Sequence, residues 1–219
     1  MIHPDMATML VFLFTDVEAP PATLRSCLKS VADKSFNNIS VDGDTSTNDT
    51  VLLLASGASK LKLNTAAARK KFEAALLEVC YSLAHQIVSD GEGIKHVIHL
   101  VIEQARNEDE ARKAARTLST SSLLKTAWAG ADPNWGRVLA ALGRSGVKFQ
   151  PERVNIFIGP YQVCRNGGAH PFDHAATHKY MQQPEYEIRV QLGNGRRSLE
   201  FLTCDLTEEY VRINAEYTT

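Results

Sequence analysis

Four stretches of this 219-residue chain carry groups that could do chemistry. MIHPDMATML puts the hydroxyl of Thr8 directly before the apolar run MLVFLF, where a strand-start threonine bonding a backbone group would account for it. SVDGDTSTNDT, residues 40–50, gathers aspartates, threonines and one glycine. Such side chains bond their own backbone readily, so a tight self-bonded loop competes with a binding loop. DGEG, residues 90–93, sets the carboxylate of Glu92 between two glycines, which let backbone approach a ligand closely and equally well end a helix. ADPNWGR, residues 131–137, reads as an Asp-Pro turn that starts a helix, with Trp135 covering the core. The phosphate-loop pattern G-x-x-x-x-G-K-[ST] is absent, and GASK has too little glycine to imitate it.

His170, His174 and His178 recur every four residues, the spacing at which histidines can face one metal. His170 precedes a proline, however, and Asp173 has the look of a helix N-cap, so a solvated helix face is the stronger reading and no metal is expected. His3, His85, His96 and His99 lack partners at a recognisable catalytic spacing. Cys27, Cys80, Cys164 and Cys204 are widely separated and lie in apolar surroundings, which suits reduced core thiols. With 24 Lys plus Arg against 25 Asp plus Glu, the net charge of -1 supplies no field that would gather nucleic acid or anionic lipid. No apolar stretch approaches the roughly 20 residues of a membrane span, and no signal-peptide pattern opens the chain, so a cytoplasmic protein is expected.

The elements that must position these groups follow from periodicity. MLVFLF and TVLLLAS (residues 50–56) read as central strands buried on both faces. Proline-started PPATLRSCLKSVADKSF reads as a helix, and Thr65 to Ser89 as the longest helix, with Phe72, Leu76, Val79, Leu83 and Ile87 on one stripe. KHVIHLVIE alternates like a strand, and NEDEARKAARTL is acid-started and base-ended, as the helix dipole favours. SSLLKTAWAG extends the helical stretch. RVNIFIG, YQVC, YEIRVQL and SLEFLTC then read as short strands, with one helix among them and another in TEEYVRINA. The composition divides the chain near residue 94, into a buried-strand part (1–94) and an α+β part (95–219).

Taken together, MIHPDMATML, KSFNNISVDGDTSTNDTVLLLASG, DGEG, ADPNWGR and VRINAEYTT resemble the β-chain portion of the bifunctional glutamate N-acetyltransferase, or ornithine acetyltransferase, family of arginine biosynthesis, in order and from first residue to last. The resemblance implies an α/β fold, a layered α-β-β-α sandwich of the N-terminal-nucleophile-like type with a smaller C-terminal α+β unit. In this picture residues 1–94 supply half of the sandwich and an α portion outside this chain completes it. It implies a precursor that cuts itself between Ala7 and Thr8, leaving Thr8 as the new N-terminus and the nucleophile that carries acetyl from N-acetylornithine to glutamate. Substrate-binding roles fall on Thr8, Glu92, Asn214 and Thr219.

The chemistry explains why such a residue would be a terminal threonine. Its hydroxyl needs a base, and an α-amine titrating at about 7.7–8.0 is one built into the same residue. A carboxylate at Glu92 suits the ammonium group of ornithine, and the amide of Asn214 offers both donor and acceptor to an amino acid zwitterion. No cofactor is implied; acetyl-CoA is a second acetyl donor in bifunctional members, and no residue here decides its use. The implied partner is the α chain, in a heterotetramer of two α and two β chains. That α portion supplies the oxyanion-hole groups, which have no counterpart in this chain. Two other readings stay open: an N-terminal-nucleophile amidase or aminopeptidase of related fold, and an inactive fragment lacking its α portion.

Overall fold

Strand β1 (Leu10–Thr15) pairs in parallel with β3 (Thr50–Ala55), Phe12 lying beside Leu52 and Phe14 beside Leu54. The structure is a computed structural model and describes residues 1–2, 9–45 and 48–217; Ala7, Thr8 and Thr219 lie outside the described residues, as does His3. The chain divides into two compact units, Met1–Ile87 and Val88–Thr219, somewhat before the division near residue 94 read from composition.

In the first unit, proline at the first turn pre-sets the backbone of helix α1 (Pro21–Ala32), which buries Cys27 and Val31. A two-residue strand β2 (Ile39–Ser40) follows, then β3 and the long helix α2 (Ala66–Ser89). The fully buried positions of α2 within this unit are Leu76, Cys80 and Ala84, a stripe at i, i+4, i+8. Val79, expected on the buried stripe, is 50% exposed. Strands β1 and β3 also depart from expectation. Val11 and Leu13 point to a buried face, whereas Leu10, Phe12 and Phe14, with Leu52 and Leu54 beside them, are exposed, Phe14 at 78%. Among the described residues the pair is covered on one face only.

The second unit is built on β4 (Val97–Ala105), which runs parallel to β8 (Glu185–Gln191) and antiparallel to β9 (Arg197–Cys204). Strands β5 (Asn155–Ile158), β6 (Tyr161–Arg165) and the two-residue β7 (Gly168–Ala169) extend the sheet beyond β8, in the order β9-β4-β8-β5-β6-β7. Alternation sends Ile98, Leu100 and Ile102 of β4, Ile188 and Val190 of β8 and Ile156 of β5 into one core. Helix α3 (Glu108–Ser119) packs against β4 and β9 through Ala111, Ala114, Ala115 and Leu118, small residues that let it lie close to the sheet. Its start is fixed by Asn107, whose side chain accepts the Glu110 amide at 2.8 Å, and by three acidic residues in the first turn.

Helices α4 (Ser122–Ala129) and α5 (Trp135–Gly143) bring Trp128 and Leu142 to the same core. Helix α6 (His174–Met181) is capped by Asp173 at 2.9 Å, as its sequence implies, and α7 (Glu208–Glu216) closes the described chain. All four cysteines are free and buried, and burial pushes the Cys80 thiol up to about 11. Among the described residues no helix is long and apolar enough to cross a membrane.

Candidate functional site

The loop that follows α2 carries Glu92 and is bound to the segment leading into α7. Gly93 adopts φ +63°, and a Cβ there would stand 2.6 Å from the Tyr210 nitrogen and 2.9 Å from the Glu209 carbonyl carbon. Only glycine allows both the left-handed turn and this approach to the first turn of α7. Thr207, the N-cap of α7, accepts the Tyr210 amide at 3.1 Å and donates its hydroxyl proton to the Gly93 carbonyl. Behind it, the buried carboxylate of Asp205 accepts the backbone amides of Lys95 (3.0 Å) and His96 (3.3 Å), while the Asp205 amide donates to the His96 carbonyl at 3.3 Å. The negative Asp205 also lies near the buried Tyr186 phenol. Burial, then this carboxylate, then Tyr180, push that phenol well above its ordinary value.

One turn further along α7, the side-chain nitrogen of Asn214 donates to Glu92 Oε2 at 2.9 Å and to the Tyr210 carbonyl at 3.0 Å. Both partners can only accept, so the amide must turn its NH2 toward them. This differs from the expectation that Asn214 offers donor and acceptor alike: both of its N–H bonds are already engaged. Glu92 Oε1 and Asn214 Oδ1 accept no hydrogen bond among the described residues, and both side chains are exposed. The pair therefore presents two neighbouring acceptors carrying a negative charge, an arrangement that suits an ammonium group and disfavours a carboxylate.

The proposed nucleophile, Thr8, lies outside the described residues, but the residue after it is held firmly. Met9 donates its amide to Asp49 Oδ1 at 2.7 Å and accepts the Thr50 amide at 2.8 Å, which fixes the start of β1 against the end of the DGDTSTNDT segment. The other oxygen of Asp49 is buried and unpartnered among the described residues, and burial pushes this carboxyl up, partly offset by the Met9 amide. The same segment also bonds itself, as Asp42 accepts the Asp44 amide at 3.0 Å. The self-bonded reading thus holds at Asp42, while Asp49 anchors the start of β1.

Other candidates serve the fold. In ADPNWGR, Asn134 rather than the Asp-Pro turn caps α5, accepting the Arg137 amide at 3.1 Å, and Asp132 accepts from Asn134 at 3.0 Å. Trp135 packs against the core as expected. His178 donates to the Ala131 carbonyl at 2.9 Å and His174 stacks on Phe172 with ring centroids 5.1 Å apart, so the repeated histidines are not gathered on one centre. His96 donates to the Gln183 carbonyl at 2.8 Å, and His99 sits between Glu200 (3.1 Å) and Glu185 (3.3 Å). Sequence does not single out Asp205 or Thr207, and marks Asp49 only as one of the aspartates of residues 40–50. The acid-rich TEE start of α7 is a local cap signal for Thr207, but the bonds to Gly93 and to Met9 join positions too distant for any sequence pattern.

Residues 1–219 match the ArgJ family. The chain belongs to the ArgJ family. It is 46% identical to "Glutamate N-acetyltransferase" of Methanopyrus kandleri over 222 residues, covering 100% of this chain and 57% of that protein. It is also 46% identical to "Arginine biosynthesis bifunctional protein ArgJ" of Parasynechococcus marenigrum, covering 100% of this chain and 53% of that protein. The crystal structure of arginine biosynthesis bifunctional protein ArgJ from Bacillus halodurans superposes with a TM-score of 0.92 at 38% identity, covering 96% of this chain and 100% of that one. The mixed α/β fold is therefore that of ArgJ, and the chain spans little more than half the length of the curated relatives.

Proposed function

We propose that this ArgJ chain is the nucleophile-bearing portion of an acetyltransferase that moves the acetyl group of N2-acetyl-L-ornithine to L-glutamate, giving L-ornithine and N-acetyl-L-glutamate. The observation that carries the reading is the exposed Glu92–Asn214 acceptor pair, matched to an ammonium-bearing amino acid, in a chain similar throughout to proteins named glutamate N-acetyltransferase and ArgJ. After cleavage between Ala7 and Thr8, the Thr8 hydroxyl attacks the acetyl carbonyl and its proton passes to the α-amine of the same residue. The C–N bond breaks, ornithine leaves with that proton, and acetyl stays on Thr8 as an ester. Glutamate then takes the acetyl group by the reverse step. The ester keeps the group activated, so acetyl-CoA is not required for exchange; its use as an additional donor remains part of the proposal for a bifunctional member. Thr219 is assigned to the same substrate site.

Activity needs a partner in this reading. The relatives extend well beyond the region matched here, and the exposed row Leu10, Phe12, Phe14, Leu52 and Leu54 is a sheet face lacking cover within its unit. We assign that cover to the α portion of the same precursor. It would complete the sandwich and supply the oxyanion donors, in an assembly of two α and two β chains in the cytoplasm.

The test uses the assembled enzyme. Incubation with N-acetylornithine labelled in the acetyl group should place label on the peptide beginning TMLVFLFTDVEAPPATLR. Label elsewhere, or full exchange in a Thr8→Ala chain supplied already cleaved, would sink the assignment. Acetate released at the same rate with and without glutamate would favour an amidase instead.

A further inference from the structure

We propose that Thr207 is a positioning residue for the substrate: its single hydroxyl latches the Glu92 loop to α7 and so sets the distance between Glu92 and Asn214. The inference rests on the reading of that pair as the ammonium site. Three observations carry it. Glu92 and Asn214 are exposed and stand on different segments, so the one solvent-exposed hydrogen bond between them is only a weak constraint on their separation. Thr207 is buried, at 6% exposure, and uses its one oxygen in both senses, accepting from Tyr210 of α7 and donating to Gly93, the neighbour of Glu92. Gly93 lacks the Cβ that would push the two segments apart, since that atom would lie 2.6 Å from the Tyr210 nitrogen.

The consequence is geometric. Asn214 is held to Tyr210 by its own bond to the Tyr210 carbonyl, and Tyr210 is held to Thr207 by the cap. Through Thr207 the chain of bonds runs Asn214, Tyr210, Thr207, Gly93, and closes where Asn214 meets Glu92. Asp205 anchors the far side of the loop at Lys95 and His96, and Gly91 and Ile94 bond within it, to Val88 and Gly91, so among the described residues the bond that ties the Glu92 segment's backbone to the start of α7 is the Gly93 linkage. Breaking it would let Glu92 move away while the helix stays whole, and the two acceptors would no longer meet one ammonium group.

Two substitutions separate this role from helix capping. Serine keeps both the acceptor and the donor. Aspartate is an equally good N-cap and accepts the Tyr210 amide, but it has no proton to give Gly93. In the assembled enzyme, Thr207→Ser should leave the KM for N-acetylornithine within about twofold, whereas Thr207→Asp should raise it about tenfold, the scale of one lost hydrogen bond, with kcat little changed. The midpoint of thermal unfolding reports that the helix is retained. A wild-type KM in Thr207→Asp, beside a raised KM in Glu92→Ala and Asn214→Ala, would overturn the latch and leave the ammonium site standing. A wild-type KM in Glu92→Ala and Asn214→Ala would overturn both. If Thr207→Asp fails to accumulate, direct titration of Thr207→Ser and Thr207→Ala with ornithine decides: equal affinity for the two refutes the latch, and a roughly tenfold loss confined to alanine upholds it.

Discussion

Asn214 and Glu92, 122 positions apart, meet through a 2.9 Å hydrogen bond that uses one of the amide's two N–H bonds, and each exposed side chain keeps an oxygen that accepts no hydrogen bond among the described residues. If that pair receives the ammonium of ornithine, charge matters more than shape. Glu92→Gln keeps the shape and removes the charge, and should raise the KM for N-acetylornithine by about 10- to 100-fold, the range of a charge-assisted bond. The KM for glutamate, which lacks a side-chain ammonium, should move much less. Steady-state kinetics with each substrate varied in turn would check this, and equal changes for both would refute it.

In the proposed self-cutting precursor, Asp49 should matter for the appearance of the Thr8 terminus, because it holds the next residue by the Met9 amide. Asp49→Ala leaves that amide without its partner and should lower stability by about 1–2 kcal/mol. It should also slow cleavage between Ala7 and Thr8 in the precursor, measured by intact mass over time. Asp49→Asn keeps an acceptor oxygen and should cleave faster than the alanine variant.

Gly93→Ala places a methyl 2.6 Å from the Tyr210 nitrogen in a left-handed backbone conformation. Strain and overpacking together should cost about 2–4 kcal/mol. A lowered denaturant midpoint accompanied by a raised KM for N-acetylornithine is the expected outcome; an unchanged midpoint would refute the close approach of loop and helix.

His99 provides a pH dependence with a definite sign. Its hydrogen bond to Glu200, followed by the bond to Glu185, holds its pKa above the ordinary 6.5 despite partial burial. A raised folded-state value means that the protonated ring is stabilised on folding, so its contribution is fully present below about pH 6.5 and fades as pH rises through the folded value. His99→Gln should therefore be destabilised relative to the parent at about pH 5.5 and much less so at about pH 8.5. Chemical denaturation of both proteins at the two pH values tests it, and a difference that grows with pH would contradict the assignment.

Much of the fold was legible because its signals are local. Asn107 with three acids behind it marks the start of α3, and Asp173 marks that of α6. Strand β1 was harder. MLVFLF is apolar at every position, so both faces ask for cover, and sequence alone cannot reveal that Phe12 and Phe14 find none among the described residues while Val11 and Leu13 do. On α2, Leu83 and Val79 look as suited to a core as Cys80 and Ala84, yet the buried stripe is the one that runs from Leu76 through Cys80 and Ala84, a choice of face that apolar character alone does not make. The site divides in the same way. Glu92 and Asn214 were visible through family resemblance, whereas their mutual bond and the Thr207 contact join segments more than 100 residues apart. Sequence carries the residue types; the long-range bonds decide which of their atoms remain available, and so turned Asn214 from a two-way partner into an acceptor.

The bare face of β1 and β3 bears on how such a protein can be made. A parallel pair showing Phe12, Phe14, Leu52 and Leu54 to water invites self-association when the chain is produced alone. If both portions are translated as one polypeptide that later cuts itself, as proposed, that hazard is removed, because the covering segment arrives in equal number and at the millimolar effective concentration of a tethered neighbour. Cleavage after folding would then release the nucleophile only in molecules whose two halves had already met, and chain scission would double as a check on assembly.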